Sequence, residues 1–239
     1  MTRNIVFLHG SPGRGSLWQS LMDRAPTGVT CHAPDLLEHG DAPDRPEATV
    51  DDVVDEVVQR VHAIPGTVVL VGHSFGAWVA CRALPALGGK VERVVALAGV
   101  SGLGAELAAR SQGLADALDA GQLTLEAAAA IATDLWLPTV NRSAVDVTAI
   151  GQLIASDRPD RLARVLRRQA QLADPMHWIA PFDVPSVSIH NVGDRGAPIA
   201  LGRQLGALGS GNRFIELDGD GHYPQWSHAD VVVEAVFGD

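Results

Sequence analysis

The sequence predicts an α/β fold: a mostly parallel sheet of about six strands, flanked by helices and carrying an inserted all-helical segment. Two observations predict it. Short runs rich in β-branched residues alternate with segments of helical period through residues 1–100, and between residues 101 and 181 the strand pattern disappears before it returns. Alternating strands and helices are typical of a parallel sheet with helices on both faces.

The predicted strands are near-continuous apolar runs, which is the pattern of strands buried on both faces of a parallel sheet. The clearest helix lies at residues 49–64, where valines recur with the helical period rather than the alternation of a strand. A last helix is predicted at residues 229–237. The strands are expected at residues 4–9, 29–33, 67–71, 93–98, 186–191 and 212–217.

The middle of the chain is predicted to be a helical cap inserted into the sheet domain. Residues 101–181 are rich in Ala, Leu, Asp and Arg, and a segment of this length is too long for a plain loop. The core would then consist of residues 1–100 and 182–239. The expected breaks between the helices of the cap lie near Gly113, Gly121, Pro138 and Pro159.

Composition argues against several classes of function. The 18 basic and 28 acidic residues leave a formal net charge of −10, which disfavours binding to nucleic acid or to an anionic membrane. No apolar run reaches the ~18 residues of a membrane span, and the run at residues 5–8 is too short for a signal peptide. The two cysteines have no metal-binding spacing. We therefore expect a cytoplasmic protein without a metal site.

A candidate nucleophile follows the third predicted strand. This strand runs into residues 72–76, Gly-His-Ser-Phe-Gly, and then into a helical stretch that Pro85 is expected to end. A G-x-S-x-G pattern between strand and helix is typical of a sharp turn that holds its serine in a strained conformation. The helix N-terminus can then stabilise negative charge on a bound carbonyl oxygen. The alternative is a glycine-rich turn in which Ser74 has no chemical role.

A serine hydroxyl needs a base, and the base needs an acid that orients it. His222 lies in a glycine-rich loop after the last predicted strand, and Asp194 follows the strand before it. The order Ser74, Asp194, His222 is one in which such triads occur in α/β proteins, and all three residues lie at strand ends. The rival acids are Asp183, Asp218 and Asp220, of which the last two are expected to be turn residues.

Acyl transfer also requires two backbone N–H groups that face the developing oxyanion. One is expected from Phe75, and the other from Ser11 in the loop after the first strand, since the next residue is a proline without an N–H. His9 is interpreted as a structural partner of this loop, and His73 as a packing residue beside the serine. The candidate pocket residues are Trp18, Trp136 and Trp178.

A basic run lies on one predicted helix of the insertion. Such runs are most often solvated faces. The alternative is a surface that recognises an acidic substrate or an acyl carrier partner. The run consists of Arg158, Arg161, Arg164, Arg167 and Arg168.

Together these motifs resemble those of the α/β-hydrolase family over nearly the whole chain. Five motifs of the family carry the resemblance. They are the oxyanion loop (residues 9–13), the D-L-x-G-H-G-x-S segment (35–42), the nucleophile elbow (72–76), the acid turn (193–195) and the histidine loop (221–224). Two positions depart from the family pattern. Glu38 stands where a glycine is usual and Ala42 where a serine is usual, so the resemblance does not fix the conformation of this loop.

The resemblance implies a small-molecule substrate, no cofactor and cleavage of a carboxylic ester, lactone or thioester through an acyl-enzyme. Ser74 would attack the carbonyl carbon, His222 would take its proton, Asp194 would orient the imidazole, and Ser11 and Phe75 would hold the oxyanion. Relatives that act on haloalkanes or epoxides carry aspartate in place of the serine. The alternatives are C–C bond hydrolysis by the same triad, ligand binding with little turnover, and a perhydrolase or haloperoxidase side activity.

Overall fold

The strands of the protein form one parallel sheet. The computed structural model describes residues 3–140, 143–174 and 179–238. Its strands are β1 (Arg3–Leu8), β2 (Val29–His32), β3 (Val68–His73), β4 (Val91–Leu97), β5 (Ser186–Asn191) and β6 (Arg213–Leu217). They pair in parallel in the order β2-β1-β3-β4-β5-β6. The prediction of about six parallel strands is confirmed.

Helices cover both faces of this sheet. Four of them lie in the chain between β4 and β5, where the sequence predicts an insertion. The helices of the described residues are α1 (Gln19–Met22), α2 (Val50–Ala63), α3 (Phe75–Leu87), α4 (Gly104–Asp119), α5 (Leu125–Trp136), α6 (Ala144–Ala155), α7 (Pro159–Ala170), α8 (Ile199–Gly206), α9 (Pro224–Ser227) and α10 (Ala229–Phe237).

The sheet is buried on both faces, as its apolar runs predict. In β1, Val6 and Leu8 pack into one cluster with residues of α2 and α3, whereas Ile5 and Phe7 pack into a second cluster with residues of α1 and α10. Successive side chains of a strand point to opposite faces, so an apolar run without alternation fills both layers.

The parallel arrangement brings distant parts of the sequence to one edge. The carboxyl ends of parallel strands lie on the same side of a sheet. The segments that follow β1, β3, β5 and β6 therefore all begin at that edge, although they are far apart in the chain. Each candidate catalytic or oxyanion residue belongs to one of these segments.

The inserted helices have a hydrophobic cluster of their own. It draws buried residues from α4, α5, α6 and α7 and includes Tyr223 from the loop after β6. The inserted helices therefore share a core with the histidine loop of the sheet domain. Other members of the cluster are Ala115, Leu118, Ala132, Ile150, Leu153, Leu162 and Leu166.

Two expected helix breaks are wrong. Helix α3 continues through Pro85 to Leu87, where Gly88 at φ 52° ends it. Helix α4 likewise continues through Gly113. A glycine inside a helix costs about 1 kcal/mol, and a proline in the last turn removes an N–H near the helix end. Burial of apolar side chains on both helices outweighs these local preferences.

Helix α7 docks on the loop between β2 and α2 through its arginines. Glu38 of that loop is fully buried, and its carboxylate accepts hydrogen bonds from Arg164 Nε at 3.0 Å and Arg168 Nη2 at 2.6 Å. Arg161 donates to the backbone oxygens of Glu38 and Gly40. These ion pairs join α7 to the loop in a contact that is largely removed from solvent.

The remaining arginines of the run also have partners within the chain. Arg158 pairs with Asp44, and Arg167 pairs with Asp116 and Asp119. Arg158 is half exposed, which fits the interpretation as a solvated face at that end of the run. The pairs of Arg168 and Arg167 hold α7 against the β2–α2 loop and against α4.

The backbone at Glu38 follows the conformation that a glycine would adopt. Its φ is 60°, in the left-handed region that costs an L-residue roughly 1 kcal/mol or more. The two arginines explain how a glutamate is held there.

Replacing Glu38 by glutamine is expected to destabilise the protein by roughly 3 kcal/mol, because the buried guanidinium of Arg168 then loses its carboxylate. The free energy of unfolding, measured by urea denaturation, checks this value. The matched control is Asp44→Asn, an exposed residue whose hydrogen-bonded partner Arg158 is half exposed, and it should cost less than about 1 kcal/mol. Equal losses in the two variants would contradict a special role for Glu38.

Candidate active site

Ser74 lies in a strained turn between β3 and α3. Its φ is 51° and its ψ is −118°, a backbone conformation that L-residues rarely adopt. The turn depends on two glycines: a Cβ on Gly72 would lie 2.4 Å from the Ala77 Cα, and one on Gly76 would lie 2.1 Å from the Leu8 oxygen. The sequence therefore forces the serine to the edge of the sheet, as the motif predicts.

His222 and Asp194 form a buried pair at the same edge. The His222 Nδ1 lies 2.8 Å from the Asp194 Oδ2, and both side chains are almost fully buried. The Asp194 Oδ1 accepts hydrogen bonds from the N–H groups of Gly196 and Ala197, at 2.8 and 2.9 Å. The Nε2 of His190 lies 3.3 Å from Oδ2. Both oxygens of this carboxylate thus have polar neighbours, which fix its orientation.

The environment of Asp194 favours the carboxylate. Burial by itself raises the pKa of Asp194, but the attraction of His222 and the hydrogen bond from His190 outweigh it and hold that pKa below its usual value. A carboxylate accepts from His222, so the proton of this imidazole sits on Nδ1 and Nε2 is an acceptor.

The rival acids lie elsewhere. Asp220 accepts hydrogen bonds from the backbone N–H and the hydroxyl of Thr139, the latter at 2.7 Å, and pairs with Arg195 at 3.7 Å. Asp183 accepts from the Ser210 hydroxyl. Asp218 is exposed. None of the three has a hydrogen bond to His222 within the described part of the chain.

Ser74 and His222 are not joined by a hydrogen bond in this structure. Among the described residues the Ser74 hydroxyl has no hydrogen-bond partner. The histidine loop is nevertheless tied to the serine turn, because His73 Nε2 donates to the His222 backbone oxygen at 2.8 Å and the two rings lie 4.8 Å apart. In ligand-free enzymes, catalytic hydrogen bonds are often long and tighten only in the substrate complex.

The loop that carries Ser11 lies directly against Ser74. A Cβ on Gly10 would lie 2.8 Å from the His73 Nδ1 and 3.1 Å from the Ser74 Cβ, so only a glycine allows this approach. Neither the N–H of Ser11 nor that of Phe75 donates a hydrogen bond within the described residues. Both N–H groups are thus available as donors, and the one from Phe75 lies at the N-terminus of α3.

Two buried histidines hold this loop, of which the sequence interpretation found only His9. The His9 Nδ1 donates to the Gly10 oxygen at 2.7 Å, and its Nε2 accepts from the Leu36 N–H at 2.9 Å. The Nδ1 of His39 donates to the Leu37 oxygen at 2.9 Å, so its Nε2, 2.7 Å from the Ser11 hydroxyl, accepts. His39 lies in the segment at residues 35–42 on which the family resemblance rests, but that resemblance assigned it no role.

These imidazoles are buried in the neutral form. Burial lowers the pKa of His9 to about 4. Burial and the neighbouring His222 lower that of His73 to about 3. Burial and the neighbouring His9 hold the pKa of His39 well below its usual value.

Stability is therefore expected to fall as the pH drops from about 6.5 towards 4, where unfolded histidines bind protons and these three do not. The loss should be on the order of 1 kcal/mol per pH unit for each histidine. Urea denaturation at several pH values checks the slope. The variant His9→Gln should flatten it, whereas His62→Gln, at an exposed histidine, should not. A slope equal in all three proteins would contradict this cause.

The candidate pocket residues lie in different places. Trp136 at the end of α5 has its ring 6.4 Å from that of His222, and its backbone oxygen accepts from the His222 N–H at 2.7 Å. Trp18, in contrast, is 1% exposed and packs on Phe7 at 5.1 Å between ring centroids, so it is a core residue and does not face a pocket. The sequence gives both the same apolar character, and only the packing separates them. Trp178 lies outside the described residues.

Two cavities adjoin this edge. One of about 600 Å³ lies between the end of α5 and the histidine loop, with Trp136, Asn191, Asp220 and Tyr223 among its lining residues. The other, of about 50 Å³, is apolar and lies among α4 to α7, where it reaches Pro12 of the loop that carries Ser11.

The described residues contain neither a metal-binding cluster nor a helix that could span a membrane. No group of three or more His, Cys, Asp or Glu side chains is placed to hold a metal ion. None of the helices combines the length and apolar character that crossing a membrane requires.

The parallel sheet of six strands flanked by helices has the architecture of an α/β-hydrolase fold. Residues 5–235 match the family model described as "Alpha/beta hydrolase family". The chain belongs to the α/β-hydrolase family. A comparison with curated proteins found no match.

Solved structures share the fold at low identity. An esterase from Thermogutta terrifontis is 17% identical, with a TM-score of 0.84 over 98% of this chain and 88% of that chain. An enol-lactonase from Burkholderia xenovorans is 22% identical, with a TM-score of 0.83 over 99% and 90%. A bromoperoxidase from Bacillus anthracis is 18% identical, with a TM-score of 0.85 over 98% and 90%. At these identities the likeness concerns the fold alone.

Proposed function

We propose that the protein is a serine hydrolase that cleaves the carboxylic ester, lactone or thioester bond of a small molecule. The observation that carries the proposal is the buried Asp194–His222 hydrogen bond at the edge where Ser74 occupies a strained turn. An aspartate that holds the imidazole proton on Nδ1 leaves Nε2 free to take the proton of a serine hydroxyl. The esterase and the enol-lactonase that share the fold are compatible with this class.

In the proposed first half-reaction, the Ser74 oxygen attacks the carbonyl carbon while His222 Nε2 takes the hydroxyl proton. The carbonyl oxygen becomes an oxyanion, which the N–H groups of Ser11 and Phe75 stabilise. The intermediate collapses to an acyl-enzyme, and His222 returns the proton to the leaving alcohol or thiol.

In the second half-reaction, water attacks the acyl carbon and gives a proton to His222. Release of the acid restores the Ser74 hydroxyl and the neutral imidazole. Each proton leaves and returns through Nε2, so Asp194 remains a carboxylate throughout, in agreement with its lowered pKa.

The inserted helices would act as the cap that defines the substrate. We assign residues 101–181 to the cap and residues 1–100 and 182–239 to the core. Its apolar cavity of about 50 Å³ reaches Pro12, next to the proposed oxyanion donor Ser11.

The test is reaction with a fluorophosphonate followed by intact-mass measurement. We expect one adduct per chain, none in Ser74→Ala, and full labelling in the matched control Ser210→Ala, whose serine pairs with Asp183. Aryl esters, lactones and thioesters with short acyl groups are then offered in excess. Absence of an adduct on Ser74 would contradict the proposal, and a single turnover per chain would favour a ligand receptor.

A further inference from the structure

The inserted helix α7 contacts the proposed oxyanion loop directly. The Gln169 Nε2 donates to the Ser11 backbone oxygen at 3.0 Å. Gln169 is buried in the interface between α7 and the sheet domain, with 8% of its surface exposed. This contact joins a helix of the insertion to the residue whose N–H is proposed to hold the oxyanion.

The surrounding hydrogen bonds restrict Ser11 from several sides. Its N–H belongs to the trans peptide whose carbonyl, on Gly10, accepts from His9, so fixing that carbonyl fixes the opposite direction of the N–H. The Ser11 hydroxyl is held by His39 at 2.7 Å, and the Ser11 oxygen is held by Gln169. The N–H remains the free group of this residue within the described part of the chain.

The helix that carries Gln169 is fixed beside that contact. Arg168 precedes Gln169 and binds the buried Glu38 at 2.6 Å. Glu38 in turn precedes His39, the residue that holds the Ser11 hydroxyl. The contacts therefore form a closed ring that runs through Ser11, His39, Glu38, Arg168 and Gln169.

We propose that Gln169 is a positioning residue for the oxyanion hole, and that docking of α7 and alignment of the Ser11 N–H are one event. The inference rests on the proposed function, because it concerns the same site. Gln169 acts through Ser11 and touches no reacting atom. A displaced α7 would leave the Ser11 oxygen without its donor, so that only the His9 and His39 hydrogen bonds described above would restrain the alignment of the Ser11 N–H.

The test compares Gln169→Met with Gln171→Met. Methionine has nearly the size of glutamine but no N–H to donate, and Gln171 is an exposed glutamine on the turn that follows α7. Loss of a whole oxyanion donor costs about 10²–10³ in kcat. For a donor that is misaligned but present we expect kcat, and the rate constant of Ser74 phosphonylation, to fall about tenfold or more.

A merely structural role would not separate the kinetic constants. An oxyanion donor acts mainly on the transition state, so KM in Gln169→Met should stay within about threefold of wild type while kcat falls. Gln171→Met should keep both constants. The free energies of unfolding of the two variants are measured in parallel.

The outcomes separate this inference from the proposed function. Phosphonylation at Ser74 that is slow in Gln169→Met and normal in Gln171→Met supports the inference. Equal rates in the two variants, or an increase in KM with kcat unchanged, would overturn it and leave the hydrolase intact. A wild-type protein that does not react at Ser74 would overturn both. If Gln169→Met does not fold, Gln169→Glu is judged by the same criteria, because its carboxylate also has no hydrogen to donate.

Discussion

Ester hydrolysis is expected to fall by about 10⁴-fold or more in Ser74→Ala, because no other group can form the acyl-enzyme. The substitution removes one hydroxyl, which has no hydrogen-bond partner in the described residues, and keeps the Cβ of the strained turn. The free energy of unfolding should therefore change by less than about 0.5 kcal/mol.

The loss is measured as kcat/KM for an aryl ester with a short acyl group. Ser210→Ala is the matched control, and its activity should remain within about twofold of wild type since surface substitutions rarely disturb a distant site. Residual activity in Ser74→Ala within tenfold of wild type would show that Ser74 is not the nucleophile.

Replacing Asp194 by asparagine is expected to lower kcat by about 10⁴-fold, through the tautomer of His222. The N–H groups of Gly196 and Ala197 require an acceptor at Oδ1, so the new amide group must take the place of Oδ2. An amide N–H that faces His222 Nδ1 needs an acceptor there and moves the imidazole proton to Nε2. The histidine can then no longer accept the serine proton.

The matched control for this variant is Asp220→Asn. Its side chain retains an oxygen for Thr139, so activity should stay within about tenfold of wild type. A kcat of Asp194→Asn that stays low at every pH between 6 and 9 would indicate the wrong tautomer of the imidazole. A kcat that recovers within this range would indicate a shifted titration instead. A greater loss in Asp220→Asn than in Asp194→Asn would reverse the assignment of the acid.

The strands could be predicted from local sequence because their environment is uniform. A strand buried on both faces is apolar at nearly every position, and β5 was expected at residues 186–191, where the structure has it. The ends of the helices depended on more than local preference. Pro85 and Gly113 are poor helix residues, but α3 and α4 bury apolar side chains around them, and this energy is not visible in a window of sequence.

Contacts between distant residues could not be predicted in the same way. Glu38 was recognised as a departure from the family pattern, and the arginines of α7 as a basic run, yet nothing in either pattern pairs them. Gln169 had no signal at all. Trp18 and Trp136 were equal candidates for a pocket until the packing placed one in the core.

By itself the sequence determined the α/β order of elements, the serine turn and the strand ends from which Asp194 and His222 project. Each of these follows from a local rule: apolar periodicity, the backbone freedom of glycine, and the chain reversal after a parallel strand. The tertiary structure gave the hydrogen bond between the predicted Asp194 and His222, and it alone decided that α7 contacts the loop that carries Ser11. Such contacts depend on how separate helices, strands and loops pack against one another. That packing is set by residues far apart in the chain and cannot be read from any one segment of the sequence.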